Sequence, residues 1–167
     1  FMPINISAVA PVEVIAKNPS VVTSPVNGVV KKVLVNTNDV VDVGMELVKL
    51  DDLNFKSQYE INLQELEVAE AELLRAKQSS FTNDEAKAKL VELSTEVALK
   101  KKQVAYAEEQ LKYSVIKAEV SGVAVVEDFI DWQGRPVNIG EKILTIANSD
   151  DIESVSYTHL RAHETRT

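Results

Sequence analysis

Few side chains in this sequence belong to the types that usually carry catalysis. Cysteine is absent, and the only two histidines among the 167 residues are His159 and His163. Their i, i+4 spacing would suit two ligands on one helix face, but a metal site needs a third ligand or a carboxylate partner. The carboxylates, lysines, serines and tyrosines form no recognisable constellation for acid, base or nucleophile. The sequence therefore predicts no enzyme, no catalytic residue, no metal and no cofactor.

Two adjacent carboxylate pairs are the strongest remaining candidates for chemistry. We interpret Asp51 and Asp52 as negative charge at a helix N-terminus, and Asp150 and Asp151 as a solvated turn. No glycine-rich phosphate loop occurs among the five glycines. These pairs therefore favour a structural interpretation over a catalytic one.

Charge and hydropathy exclude further classes of function. The formal charge is −8, from 26 acidic and 18 basic residues, which argues against nucleic-acid binding. No run of eighteen apolar residues predicts a membrane span, and Phe1-Met2 does not begin a signal peptide. Residues 155–167, which contain both histidines, have no apolar period and resemble the translation of a sequencing adaptor. We expect this tail to be an artefact.

Two segments of the chain repeat each other. The first copy comprises residues 25–30 and 40–50, and the second comprises residues 119–124 and 136–146. Gly28 corresponds to Gly122 at an offset of 94 residues, and Gly44 corresponds to Gly140 at an offset of 96. Each copy has alternating valines and glycines suited to turns, but is too short to hold a core alone. We expect the two halves to pack together about a pseudo-twofold axis, with the corresponding glycines near each other.

Two long helices are predicted between the copies. Residues 52–77 and 84–113 are rich in Ala, Leu, Glu, Lys and Gln and contain no Gly or Pro. Turn and cap residues separate the helices, and this tip is a candidate partner-docking site: Ser79, Ser80, Phe81, Thr82, Asn83 and Asp84.

Apolar residues at three- and four-residue steps predict that the helices form an antiparallel coiled coil. The seam comprises Phe55, Tyr59, Leu66, Ala69, Leu73 and Ala76 on the first helix, and Ala86, Leu90, Leu93, Val97, Val104, Ala107 and Leu111 on the second. Asn62 and Lys100 fill the gaps in the two series and would face each other. Such a polar layer would fix the register, or both side chains would reach out to water.

The repeat resembles a biotinyl/lipoyl domain divided in two. Residues 24–30 with 38–47 resemble one half, and residues 118–146 resemble the other. In carrier proteins of this type, a tight hairpin with the modified lysine joins the halves, whereas here residues 51–113 take its place. A lipoyl domain split by a helical hairpin is typical of HlyD-type membrane fusion proteins, the periplasmic adaptor subunits of efflux and secretion systems. The chain resembles them over about residues 20–150.

The resemblance implies an α+β fold. It would be a lipoyl-like β-sandwich, or barrel-sandwich hybrid, split by an antiparallel coiled-coil hairpin, with part of an adjoining β-barrel domain. The expected domains are residues 1–19, strands entering the incomplete barrel; 20–50, the first lipoyl half; 51–113, the hairpin; 114–149, the second half; 150–154, the returning barrel segment; and 155–167, the tail.

The resemblance also implies a function and its partners. The protein would be a homo-oligomeric adaptor in the periplasm of a Gram-negative cell, anchored in the inner membrane through an upstream segment missing here. It would link an ABC or proton-driven transporter to periplasmic or outer-membrane components. Adaptors that meet a TolC-type duct carry Arg, Leu and Ser at set spacing near the tip. Arg75 is present, but the other two do not follow at the expected distances, which leaves a duct in doubt.

Two other functions compete with this one. The first is a biotin or lipoate carrier, but Lys49 and Lys56, which flank the junction of the halves, lack the required context. The second is a structural coiled-coil protein with a β cap.

Overall fold

A computed structural model of the chain describes residues 18–79, 84–127 and 130–148. The predicted entering strands before residue 18, the returning segment 150–154, the pair Asp150 and Asp151, and the tail with both histidines lie outside the described residues.

Each repeat forms four strands, and the two helices lie between the repeats. The first repeat contains β1 (Ser20–Thr23), β2 (Gly28–Val33), β3 (Val40–Val41) and β4 (Glu46–Leu50). The helices are α1 (Leu53–Ser79) and α2 (Asp84–Tyr113). The second repeat contains β5 (Val115–Lys117), β6 (Gly122–Val126), β7 (Pro136–Val137) and β8 (Lys142–Ala147).

The two repeats are interleaved in two four-stranded antiparallel sheets. The strand orders are β1-β8-β6-β3 and β5-β4-β2-β7, so each sheet contains strands of both repeats. In one sheet Gly28 pairs with Val137, and in the other Gly122 pairs with Val41. The two pairings are equivalent, because Gly28 corresponds to Gly122 and Val41 corresponds to Val137 in the repeat. The predicted α+β class is confirmed, and no closed barrel occurs among the residues that the structure describes.

The core lies between the sheets and is built from equivalent residues of the two repeats. Leu47 and Ile143 are at most 1 % exposed, as is Ile146, and Leu50 is 2 % exposed. Their positions in β4 and β8 correspond under the 96-residue offset. Each repeat contributes large aliphatic side chains to this core. Neither repeat is long enough to bury these side chains without the other repeat packed against them.

Trp132, in the loop between β6 and β7, is a core residue that the sequence pattern did not indicate. It is 7 % exposed and belongs to the same buried cluster as the strand residues. The guanidinium carbon of Arg135 lies 5.2 Å from the centre of its ring, within cation–π range. Among the residues that the structure describes, none accepts a hydrogen bond from its buried indole Nε1. The indole ring therefore contributes to the core by packing with the buried strand residues.

The chain passes through the two ends of the sandwich in equivalent ways. At one end, the Leu50 amide donates to the Ser114 carbonyl across 2.7 Å, where the helices begin and end. At the other end, Ser20 is paired with Ile146 in β1 and β8. Ser20 corresponds to Ser114, and Ile146 corresponds to Leu50, under the two repeat offsets. The residues at which the helices leave the sandwich are therefore equivalent to the residues at the start of β1 and near the end of β8.

Candidate partner-binding hairpin

The first helix begins at the carboxylate pair that the sequence placed at a helix start. The Asp51 carboxylate accepts a hydrogen bond from the Leu53 amide at 3.0 Å, and the Asp52 carbonyl accepts one from the Lys56 amide. The Asp52 carboxylate also lies 2.9 Å from the Lys56 ammonium. The hydrogen bond from Lys56 lowers the pKa of Asp52 below its ordinary value, mainly by favouring the charged form. Both aspartates are thus engaged in capping the helix.

The burial of the hairpin follows the predicted seam. All the predicted seam positions of α1, including Asn62, are buried or half-buried, while every other residue of this helix is exposed. On α2 the most buried residues, Leu93, Val97 and Ala107, are all seam positions. The three- and four-residue steps therefore identified the contact face of both helices.

The two polar seam residues do not bond to each other. The side-chain amide of Asn62 donates to the backbone carbonyl of Gln103 at 3.2 Å and accepts from the side-chain amide of Gln58. The Lys100 ammonium lies 2.8 Å from the Glu65 carboxylate. The expected partner of Asn62 was Lys100, but Asn62 bonds to Gln103, and Lys100 pairs with Glu65 instead of Asn62. In both cases the actual partner lies three residues further along the opposite helix, because the polar end of the side chain turns away from the apolar seam. They remain candidates for setting the register.

The predicted tip is described only at its two edges. The Ser79 hydroxyl donates to the Arg75 and Ala76 carbonyls, at 3.1 and 3.3 Å, within the last turn of α1. Asp84 is the first residue of α2. Residues 80–83 lie outside the described part of the chain, so a docking role for the tip stays a prediction.

The four glycines singled out in the sequence divide into two kinds. Gly44 and Gly140 lie in turns, with positive φ angles of 86° and 82°, and their amides donate to Ala118 and Ser24 in equivalent contacts. Gly28 and Gly122 are instead the first residues of β2 and β6. They lie where a strand of one repeat meets a strand of the other, so space rather than a turn conformation is what matters there.

Neither lysine near the junction of the halves lies at a turn. Lys49 is within β4, where it pairs with Glu46 at 3.6 Å and lies opposite Lys32. Lys56 is in the first turn of α1 and is held by Asp52. A carrier lysine needs an exposed hairpin tip, and the helices occupy that place here.

One side of the hairpin carries a second apolar stripe that the sequence analysis missed. Its members are exposed, are spaced seven residues apart on each helix, and flank the seam: Ile61 and Val68 on α1, and Leu99, Tyr106 and Tyr113 on α2. A groove of about 440 Å³ lies on this side, and Ile61, Val68 and Ala69 are its apolar lining residues. Its polar lining residues are Gln64, Glu65, Glu72, Glu96 and Lys100. The seven-residue recurrence was the signal that could have revealed it.

The described residues offer no other obvious chemistry. Across residues 18–79, 84–127 and 130–148, no group of three or more His, Cys, Asp or Glu side chains is placed to hold a metal ion. Neither helix in these ranges has an apolar stretch long enough to cross a bilayer.

Comparison with solved structures identifies the architecture. The chain is similar to the membrane fusion protein Spr0693 from Streptococcus pneumoniae R6, with a TM-score of 0.65, 21% identity and coverage of 80% of this chain and 62% of that one. It is also similar to a putative efflux transporter from Bacteroides eggerthii DSM 20697. That match has a TM-score of 0.69, 17% identity and coverage of 80% and 40%. This is the fold of membrane fusion proteins.

A third match is described as a periplasmic adaptor. EmrA aligns with a TM-score of 0.59 and 16% identity, over 80% of this chain and 73% of its own. The chain spans 62% and 40% of the first two neighbours, so it corresponds to only part of a membrane fusion protein fold. No protein-family model and no curated protein matches the sequence.

Proposed function

We propose that the chain is the connecting and docking part of a periplasmic adaptor subunit for efflux or secretion. In this function it links an inner-membrane transporter to periplasmic or outer-membrane components and catalyses no reaction. The proposal is supported by the fold that the chain shares with membrane fusion proteins.

The observation that carries the proposal is the exposed apolar stripe on the hairpin. Helices of 27 and 30 residues extend from one end of a small sandwich, about 40 Å at 1.5 Å per residue. Only the seam is covered, while Leu99, Tyr106 and Val68 remain more than half exposed. An exposed amphipathic helix face of this kind fits helix-in-groove recognition. A passive spacer would need no second apolar stripe.

The test is removal of the hairpin from the full-length protein in its native cell. Residues 54–111 are deleted and the ends are joined by a short turn, which the adjacent Leu50 and Ser114 allow. We expect a folded sandwich, because the core cluster takes only the partly buried Phe55 from the helices. We expect loss of export and of co-purification with the transporter encoded beside the gene.

A matched control shortens the hairpin by one heptad in each arm, removing residues 70–76 and 87–93. This variant keeps the seam in phase and keeps Ile61, Leu99 and Tyr106 on one side. We expect it to retain transporter binding. If the complete deletion still co-purified with the transporter and restored export, the docking function would be wrong and the helices would be a spacer.

A further inference from the structure

Asn27 is the only asparagine in the chain that is followed directly by glycine. This pair is chemically reactive, because the main-chain nitrogen of the second residue can attack the side-chain amide of the first. Glycine has no Cβ to shield that nitrogen, so the approach is unhindered. Asn27 is exposed in the loop before β2, and Gly28 is the first residue of this strand. The side-chain amide of Asn27 is therefore a candidate site of covalent change.

Two contacts restrain the reacting groups in the folded chain. The side-chain oxygen of Asn27 accepts a hydrogen bond from the Ile139 amide at 2.6 Å, across 112 residues of sequence. Gly28 is paired with Val137 in the ladder between β2 and β7. The attack bends the side chain of Asn27 back onto the Gly28 nitrogen, so these contacts must open locally before it occurs.

Ile139 donates its hydrogen bond from a turn that fixes the position of its amide. The Glu141 amide donates to the Asn138 carbonyl at 3.0 Å, and Gly140 has a φ angle of 82°, as in a type II turn. The Gly140 amide also donates to the Ser24 carbonyl at 2.8 Å, which ties the turn to the loop before β2. The side chain of Ile139 is 68 % exposed, so its main-chain amide is the group that acts.

We propose that Asn27 is a site of spontaneous deamidation, and that the Ile139 amide restrains the reaction in the folded chain. In the first step the Gly28 nitrogen bonds to Cγ of Asn27 and the bond from Cγ to the side-chain nitrogen breaks. The Gly28 amide proton leaves with that nitrogen as ammonia. Water then opens the cyclic imide, and addition at Cγ gives aspartate while addition at the main-chain carbonyl carbon gives isoaspartate. Water is the only co-reactant.

The two products should differ in their effect on the sandwich. Aspartate keeps an oxygen where Asn27 accepts from the Ile139 amide, and a carboxylate is the stronger acceptor. Isoaspartate adds a carbon atom to the main chain immediately before Gly28, which lies opposite Val137 in the other repeat. Isoaspartate should therefore disturb the pairing of the two repeats, whereas aspartate should not. The site lies in the sandwich and does not depend on the proposed function of the hairpin.

Peptide mapping by mass spectrometry measures the reaction in the purified chain, incubated in buffer and in urea. Replacement of the side-chain NH₂ by OH raises the mass of the peptide, and chromatography separates the isoaspartate and aspartate forms. Asn27 should deamidate more than about tenfold faster in urea than in buffer, because unfolding releases both restraints. Asn36 and Asn138 are internal controls that should stay unmodified, since both are exposed but precede β-branched residues.

A pair of proline variants tests the role of the Ile139 amide. Ile139→Pro removes the donor and suits the turn, since proline is common at the second position of a type II turn. In buffer it should deamidate at Asn27 about fivefold faster than the wild-type chain, as expected for the loss of one hydrogen bond. The matched control is Val43→Pro, because Val43 is the repeat counterpart, is 67 % exposed and precedes Gly44 with its φ angle of 86°. This control should deamidate at the wild-type rate.

Two further measurements do not depend on the proline variants. Gly28→Ala places a Cβ beside the attacking nitrogen and should remove most of the reaction in urea, where the fold plays no part. An aged sample enriched in isoaspartate should unfold at lower urea concentration than Asn27→Asp, which should match the wild-type chain. The fluorescence of Trp132, the single tryptophan, follows this unfolding and shows whether each variant is folded.

The possible results separate the two parts of the proposal. No reaction at Asn27 in urea would overturn the assignment of the site. Equal rates in buffer and urea would show that the fold does not restrain the reaction. An unchanged or slower rate in a folded Ile139→Pro variant would show that the Ile139 amide is not the restraining group.

Discussion

Substitution of Gly122 by alanine should destabilise the sandwich far more than substitution of its repeat counterpart, Gly28. A Cβ at Gly122 would clash with the carbonyl oxygen of Ala147 and lie 2.8 Å from Cγ2 of Ile146. Ala147 is hydrogen-bonded within the β6-β8 ladder, where Val123 is its partner, so the backbone cannot yield without opening the sheet. At Gly28 the nearest atom is Cδ1 of Leu50, at 3.3 Å, the end of a flexible side chain.

The size of the difference follows from these contacts. Overpacking against the backbone costs about 1–3 kcal/mol, and loss of one ladder hydrogen bond costs about 1 kcal/mol. Replacing glycine restricts the unfolded chain and returns about 0.4–1 kcal/mol. The net loss for Gly122→Ala is about 2 kcal/mol, equivalent to about 4–8 °C in Tm for a chain of this size. Gly28→Ala should stay within about 1 kcal/mol of the wild-type chain.

Trp132 supplies the assay, because it is the only tryptophan in the chain and is buried in the sandwich core. Its fluorescence during urea or thermal unfolding therefore reports on the sandwich, while circular dichroism is dominated by the helices. Equal losses of stability for the two alanine variants would refute the reasoning, since the repeat would then be symmetric in packing as well as in sequence.

Two further changes test other parts of the structure. The Thr37 hydroxyl donates to the Val126 carbonyl at 2.7 Å and accepts from its amide at 3.0 Å, so Thr37→Val should cost about 1–3 kcal/mol in urea unfolding followed by Trp132. Thr95→Val, which removes a hydroxyl bonded only within its own exposed helix, should cost less than about 0.5 kcal/mol. Replacing Asn62 and Lys100 together by leucine should raise the stability of the hairpin by about 1–2 kcal/mol and loosen its register, seen by circular dichroism and amide hydrogen exchange. A loss of stability would show that the bonds to Gln103 and Glu65 outweigh the burial of leucine.

The sequence predicted which surfaces are buried better than it predicted which groups meet. The steps of three and four residues marked Ala69, Leu93 and Val97 as seam residues, because helical period alone decides which face is covered. They did not predict that Asn62 would bond to Gln103, since the length and direction of polar side chains decide that contact. The repeat likewise predicted that its halves pack together, but the pairing of β2 with β7 and β3 with β6 depends on how short strands are interleaved.

Two other features escaped the sequence for local reasons. Trp132 lies in a loop without alternation, so no period indicates that it enters the core. Gly28 and Gly122 occupy equivalent positions in the repeat, yet only Gly122 lies directly against a neighbouring backbone. A repeat in the sequence shows which positions are equivalent. It does not show that equivalent positions can have different spatial neighbours.

The equivalent passages of the chain at the two ends of the sandwich have a mechanical consequence. Tension between the helices and the flanking chain would enter through β4 and β5 at one end and leave through β1 and β8 at the other. No hydrogen-bonded ladder joins β4 or β5 to β1 or β8, so this pull would pass from one sheet to the other through the packed core and the connections between strands. The interleaving of β2 with β7 and of β3 with β6 would also prevent the two repeats from separating as independent units. Because strands of the two repeats pair with each other in both sheets, the sandwich would move as one unit when the helices are displaced.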